Sequence, residues 1–172
     1  MKTVASGTVA GDGSLVLNLY YTPDADALAY HANGGQGTMA ATEGVTDQVV
    51  EVAANGFERA GYAFVGWNTA ADGSGQAYAA GAGYALTAGD DALFAQWTAN
   101  DGTAYTVNHY KVNAAHTAAT LDNAENLKAT TDASVSATPQ TIPGYTYQPL
   151  FDENGMKTVA SGTVAGDGSL VL

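Results

Sequence analysis

The sequence predicts a mainly β chain assembled from small modules, and three observations carry that prediction. Strand-like alternation recurs: in "GSLVLNLYYT" the residues Leu15, Leu17, Leu19 and Tyr21 fall on one face. Turn chemistry punctuates it, with 21 glycines in 172 residues and dipeptides such as Asp12-Gly13. The first 17 residues, Met1 to Leu17, also return unchanged as Met156 to Leu172. Identity without drift marks a tandem array. Met1 is accordingly expected to be an interior position of an array whose unit is 155 residues, the chain holding one unit plus an overlap.

Taken in order, residues 4 to 21 read as a hairpin. Asp12-Gly13 forms its turn, and the second strand is strongly apolar. "TPDADA", with Pro23, reads as a linker. "ALAYHA" is a short strand, "NGGQG" a turn, and "DQVVEVA" a strand with Val50 and Val52 on one face and Glu51 on the other. Phe64, Trp67, Phe94 and Trp97 are the bulky groups of a segment otherwise poor in bulk. Side chains that each bury roughly 150–250 Å² are expected to dominate its core. After "TANDGTA", a second polar linker, "YTVNHYKVN" is a strand and "AATLDNAENLKA" another, interrupted by polar residues. Pro139 and Pro143 keep any helix in the following stretch short. "FDENG" then turns into the second copy of the terminal segment.

Composition narrows the function. With 17 acidic and five basic residues the net charge is -12, and only 13% of the chain is charged. Such a surface repels nucleic acid, heparin-like polymers and anionic membranes, because no basic patch is available to neutralise phosphate or sulfate. The chain has no cysteine, hence no disulfide, thiolate metal site or cysteine nucleophile. No apolar run approaches the roughly 18 residues that span a bilayer.

The residues "YHANGG", "GYAFVGWNTAADGSG" and "ALFAQW" together resemble the internalin-B-type B repeat, also called the Flg_new or Listeria–Bacteroides repeat. Tyr30-His31 stand where that family commonly has Phe-Asp, and Ala fills several usual Thr positions. Read through the array join, "YTVNHY", "TIPGYTY" and "GTVAGDGSLVLNLYYT" resemble the mucin-binding-protein (MucBP) repeat. Both resemblances imply small β-grasp (ubiquitin-like) modules, giving an α+β, mainly β chain in tandem. Residues 1–22 would be the closing hairpin of a preceding MucBP-like module. Residues 23–99 would be the B-repeat module, and residues 104–172 a MucBP-like module lacking the end of its last strand.

Candidate chemistry is sparse. His31, His109 and His116 lie in no metal-binding spacing and beside no nucleophile motif, and "ANGGQG" and "AGAGY" lack the Lys-Ser/Thr of a phosphate loop. Asp12 and Asp72 read as turn residues, and Asp90-Asp91 and Asp24/Asp26 as loop acids, a calcium ion at Asp24/Asp26 being a minor alternative. A Lys111–Asn18 isopeptide crosslink is another. No catalytic residue, cofactor or metal is therefore expected.

The leading expectation is a non-enzymatic, extracellular spacer of a bacterial surface protein. A glycan- or mucin-binding adhesin is the alternative, with Tyr20, Tyr145 and Tyr147 available for sugar stacking. A third possibility follows from the severed strand. The N-terminal copy continues into Leu19 and Tyr21, which its C-terminal twin lacks. Each large apolar side chain is worth about 1.5–3 kcal/mol when buried. Leu15, Leu17, Leu19 and Tyr21 are thus the candidate donor residues for head-to-tail strand exchange with other copies of the chain, which would give open filaments; the alternative is that residues 156–172 dock in place and the N-terminal hairpin is disordered.

Overall fold

The structure is a computed structural model and describes residues 6–148 and 158–172. Among these residues there is no helix, and the chain is mainly β as the alternation predicts. The buried side chains form two separate clusters, one per unit.

The first unit contains β1 (Ala25–His31), β2 (Thr42–Val45), β3 (Val49–Glu51), β4 (Tyr62–Asn68), β5 (Ala77–Tyr78), β6 (Gly83–Ala85) and β7 (Ala92–Ala99). Five of them form one sheet in the order β2-β1-β7-β4-β5, while β3 and β6 pair separately. β1 and β7 run parallel, Ala29 facing Ala92 and His31 facing Phe94. The other neighbours are antiparallel. The unit's first and last strands thus lie side by side, and no helix crosses the sheet among the described residues.

Alternation decides what is buried. Leu28 and Tyr30 of β1 and Leu93 and Ala95 of β7 point into the core, where Val50, Val52, Phe57, Tyr84 and Leu86 meet them from the other side. Val50 and Val52 are buried and Glu51 exposed, as the sequence indicates. Trp67 sits at the centre, 1% exposed, with the rings of Tyr30, Phe64 and Phe57 at 4.9, 5.1 and 6.1 Å. Its indole N–H donates to the Ala53 carbonyl at 3.0 Å. At roughly 25 cal/mol per Å², burying one such ring contributes about 5 kcal/mol. Phe64 and Trp97 pack against the cluster's edge, 5.7 Å apart. Phe94 alternates with Leu93 and Ala95, so it lies on the opposite face of the sheet, stacked on His31 at 4.8 Å.

The "ANGG" turn ties strands together. Asn33 has φ 47° and its amide donates to the carbonyls of Ala71 and Ala95 at 2.7 and 2.8 Å. Gly35 lies against the Trp97 ring, where a Cβ would come within 2.8 Å of it.

The second unit contains β8 (Thr103–Val112), β9 (Ala119–Ala129), β10 (Ser134–Ser136) and β11 (Ser161–Thr163). β8 and β9 form a long hairpin in which Asp122 is bulged, His109 facing Asn123 and Tyr110 facing Leu121. β10 pairs antiparallel with β11. Past β11, Val171 lies parallel beside Thr106. The core is small: Tyr105, Val107, Val164 and Leu172, edged by Ala129, Val135, Ala137 and Leu170.

The units meet end to end. Among the described residues no strand of one packs along a strand of the other. Asn100 N–H donates to the Gly61 carbonyl at 2.9 Å, Thr131 N–H to the Asn100 carbonyl at 3.0 Å, and the Tyr62 hydroxyl to Asp132. Gly61 and Gly166 touch backbone to backbone, so that a Cβ on Gly166 would run into the Ala60 carbonyl.

Candidate functional site

The two copies of the terminal segment carry one local structure in two surroundings. In the N-terminal copy Gly13 N–H donates to the Ala10 carbonyl at 3.1 Å, and Ser14 N–H to the Asp12 carboxylate at 3.0 Å. In the C-terminal copy Gly168 N–H donates to Ala165 at 2.9 Å and Ser169 N–H to Asp167 at 3.0 Å. Gly13 and Gly168 have φ 70° and 74°, the left-handed conformation that the Asp-Gly pair suggested. The serine hydrogen bonds hold the Asp12 and Asp167 carboxyls below their ordinary value. Across each turn a glycine sits under a leucine: a Cβ would meet Leu15 at 2.6 Å from Gly7, and Leu170 at 2.7 Å from Gly162. Residues 4 and 5 of the expected hairpin, and the "FDENG" turn, lie outside the described residues.

The surroundings differ completely. Val164, Leu170 and Leu172 are held in the second unit's core, Val164 wholly buried. Their N-terminal counterparts are less covered: Val9 is 80% exposed, Leu17 is exposed and Leu15 half-buried, and Leu19 and Tyr21, which follow that copy, are exposed as well. Gly166 is wedged into the joint, whereas Gly11 has open space around it.

The C-terminal copy docks along one edge of β8. Thr106 N–H donates to Leu170, Leu172 N–H to Thr106 and Asn108 N–H to Leu172, each at 2.9 Å. This ladder covers β8 only as far as Asn108, while β8 continues to Val112. Beyond it the inner face carries His109, 3.3 Å from Glu125, and Lys111, which pairs with Asp122 and has the Tyr145 ring 5.5 Å away. Asp122 raises the pKa of Lys111.

The remaining sequence candidates are scattered. His31 stacks on Phe94, and His116, at φ 53°, closes a turn on the Asn113 carbonyl. Asp72 binds the Ser74 N–H at 3.0 Å, a turn residue as the sequence suggests. Asp26 lies within β1, not in a loop. Among the described residues no three His, Asp or Glu side chains gather in a metal-binding group. Two open depressions, of about 500 and 410 Å³, are lined by Gly34, Gln36, Glu58 and Arg59 in one case and by Val65, Asn68, Tyr78 and Gln96 in the other. Neither brings together a nucleophile and a base.

One polar group eluded the sequence reading. Asp91 is buried and receives the Tyr84 hydroxyl at 2.9 Å, the Thr87 N–H at 2.6 Å and the Thr87 hydroxyl at 3.0 Å. Burial, then this hydrogen bond, push the Tyr84 phenol up to about 12. Nothing in "AGDDALF" separates Asp91 from its exposed neighbour Asp90 except that it directly precedes β7.

With β1, β4 and β7 framing Trp67, and "ANGG" and "NTAADGSG" locked as loops around them, the first unit has the features of its sequence signature. Residues 27–96 match the Listeria-Bacteroides repeat domain. The match covers the first unit from β1 into β7. A protein of Evansella cellulosilytica named "Putative membrane protein" is 28% identical over 126 residues, covering 64% of this chain and 19% of that protein. The chain therefore spans about a fifth of the length of this relative. No solved structure matches the chain. No helix among the described residues is long and apolar enough to cross a membrane.

Proposed function

We propose that the chain is a non-catalytic spacer segment of a bacterial cell-surface protein, its repeats setting a fixed distance between an anchored and a distal part. The observation that carries this reading is the joint. The two units are separated by a short turn, and Gly61 and Gly166 are in backbone contact, with Tyr62–Asp132 alongside. Such a contact resists bending, and units that meet end to end suit a rod. The repeat-domain match over residues 27–96 and a much longer relative named as a membrane protein support an array at the cell surface. We read the first unit as of the internalin-B type, with a β-grasp-like sheet, and the second as MucBP-like, on the strength of "YTVNHY" and "TIPGYTY". Small-angle X-ray scattering of the dilute chain tests the spacer: an elongated particle of fixed maximum dimension is expected, and a compact globule overturns it.

A second reading, an adhesin for mucin or other glycans, is favoured by the exposure of Tyr20, Tyr145 and Tyr147, each about half exposed. Exposed aromatic faces suit sugar stacking. A glycan array with wild type and the Tyr145→Ala/Tyr147→Ala variant decides it: binding lost in the variant supports the adhesin, and no binding by wild type rejects it.

A further inference from the structure

We infer that the depression beside the "ANGG" turn, lined by Gly34, Gln36, Glu58, Arg59 and Ala60, is a binding site for a sugar that carries a single carboxylate. The spacer reading and the exposed tyrosines of the adhesin reading have no part in it.

Charge singles the place out. Arg59 is the sole lysine or arginine of residues 23–99, and the other charged side chains there, His31 aside, are carboxylates. In so acidic a unit a guanidinium should find a carboxylate, yet the ion pairs among the described residues are His109–Glu125 and Lys111–Asp122, and Arg59 is in neither. Its guanidinium carbon lies instead 3.7 Å from the centroid of the Tyr62 ring. Tyr62 is itself fixed, because its hydroxyl donates to Asp132. Gly34, at φ 89°, lies against the same guanidinium, and a Cβ there would come within 3.1 Å of its Nη1. Arg59 is thus half-buried, stacked and oriented before any ligand arrives, with N–H groups that no carboxylate has taken. A group so held loses little freedom on binding.

The surroundings select the ligand. A planar guanidinium matches a carboxylate through two parallel hydrogen bonds. Glu58 lines the same depression and opposes a second negative charge, which disfavours phosphate dianions and polyanionic chains, in keeping with the net charge of -12. The Glu58 carboxylate accepts from hydroxyls, and the Gln36 amide both donates and accepts. Hydroxyl groups beside one carboxylate therefore satisfy all three side chains, and that is the pattern of an acidic sugar. An extended peptide fits less well, because the backbone is already closed here. Gln36 N–H donates to the Glu58 carbonyl at 2.7 Å and Glu58 N–H to the Gln36 carbonyl at 3.0 Å, which uses both backbone groups of each residue. The volume, about 500 Å³, lies within the range of small-molecule sites.

Heteronuclear NMR of the whole chain, titrated with glucuronic acid, tests this. Glucose supplies the hydroxyls without the charge, acetate the charge without the hydroxyls, and inorganic phosphate a second charge. Glucuronic acid is expected to shift the Gly34 and Gly35 amides and the Arg59 side-chain signal, and to bind about tenfold or more tightly than each of the three. Arg59→Gln is expected to weaken glucuronic acid by about tenfold or more, and Arg59→Lys, which keeps the charge but not the fork, by less. Glu58→Gln removes the repulsion and keeps a hydrogen-bonding group, so it should raise the affinity several-fold, a gain that damage to the fold cannot imitate. The absence of any shift, shifts confined to other residues, binding no tighter than that of glucose or acetate, or an affinity unaltered by Arg59→Gln overturns the proposal.

Discussion

Val9 and Val164 occupy equivalent positions in two identical segments, so the same substitution at each isolates the effect of surroundings from that of local sequence. Val164 is wholly buried among Tyr105, Val107 and Leu172, whereas Val9 is 80% exposed. Val164→Ala removes two buried carbons, about 1.6 kcal/mol at roughly 0.8 kcal/mol each. The residual cavity raises this to about 2–3 kcal/mol. For a unit of this size each kcal/mol lowers Tm by about 4–8 °C, so the second unit should melt about 10–20 °C earlier. Val9→Ala should remain within about 0.5 kcal/mol of wild type in dilute solution. Both tryptophans lie in the first unit, so the assay must report on the second directly. Hydrogen exchange of the β8 and β9 amides, read by mass spectrometry across a denaturant series, does so. Equal destabilisation by the two variants, or a larger effect at Val9, would refute the assignment of the C-terminal copy as the resident hairpin.

Three further outcomes follow from the joint, the turn and the buried acid. Gly61→Ala forces a side chain against Thr131 and Gly166 at φ 76°, and should loosen the joint and cost about 1–3 kcal/mol, visible as broadened scattering dimensions. Asn33→Ala deletes two amide hydrogen bonds and disfavours φ 47°, costing the first unit about 2–3 kcal/mol by Trp fluorescence in urea. Tyr84, whose pKa is raised to about 12 in the folded chain against about 10 in the unfolded chain, contributes stability that is complete below pH 10 and lost as pH rises towards 12. The difference in urea midpoint between wild type and Tyr84→Phe should therefore shrink over that interval, and a constant difference would count against the buried Tyr84–Asp91 bond.

Period-two alternation identified β1, β3 and β8 because each has one face in a core. β4 was harder to read: Val65 is bulged between Phe64 and Gly66, so Phe64 and Trp67, an odd number of residues apart, reach the same core. Periodicity cannot express that, and only Gly66 in "FVGW" signals it, at φ 149°. The bulk of Phe94 predicts a core position, but the face it occupies is set by its alternation with the buried Leu93 and Ala95. Tyr30, Phe57 and Tyr84 complete the core that four aromatics alone would leave open. Tyr30 was legible from its alternation with Leu28, whereas Phe57 lies outside the named strands and has no periodic context.

The duplicated segment marks where local information ends. Its turn, its aspartate-to-serine hydrogen bond and its glycine–leucine packing recur in both copies, because all three are fixed by residues within a dozen positions of each other. Burial of Val164 but not Val9 is fixed by something the segment does not contain: β10 pairs with Ser161–Thr163 of one copy, while the linker after the other leads to the far pole of the first unit. Identical sequence therefore gives the same turn in both copies but unequal burial.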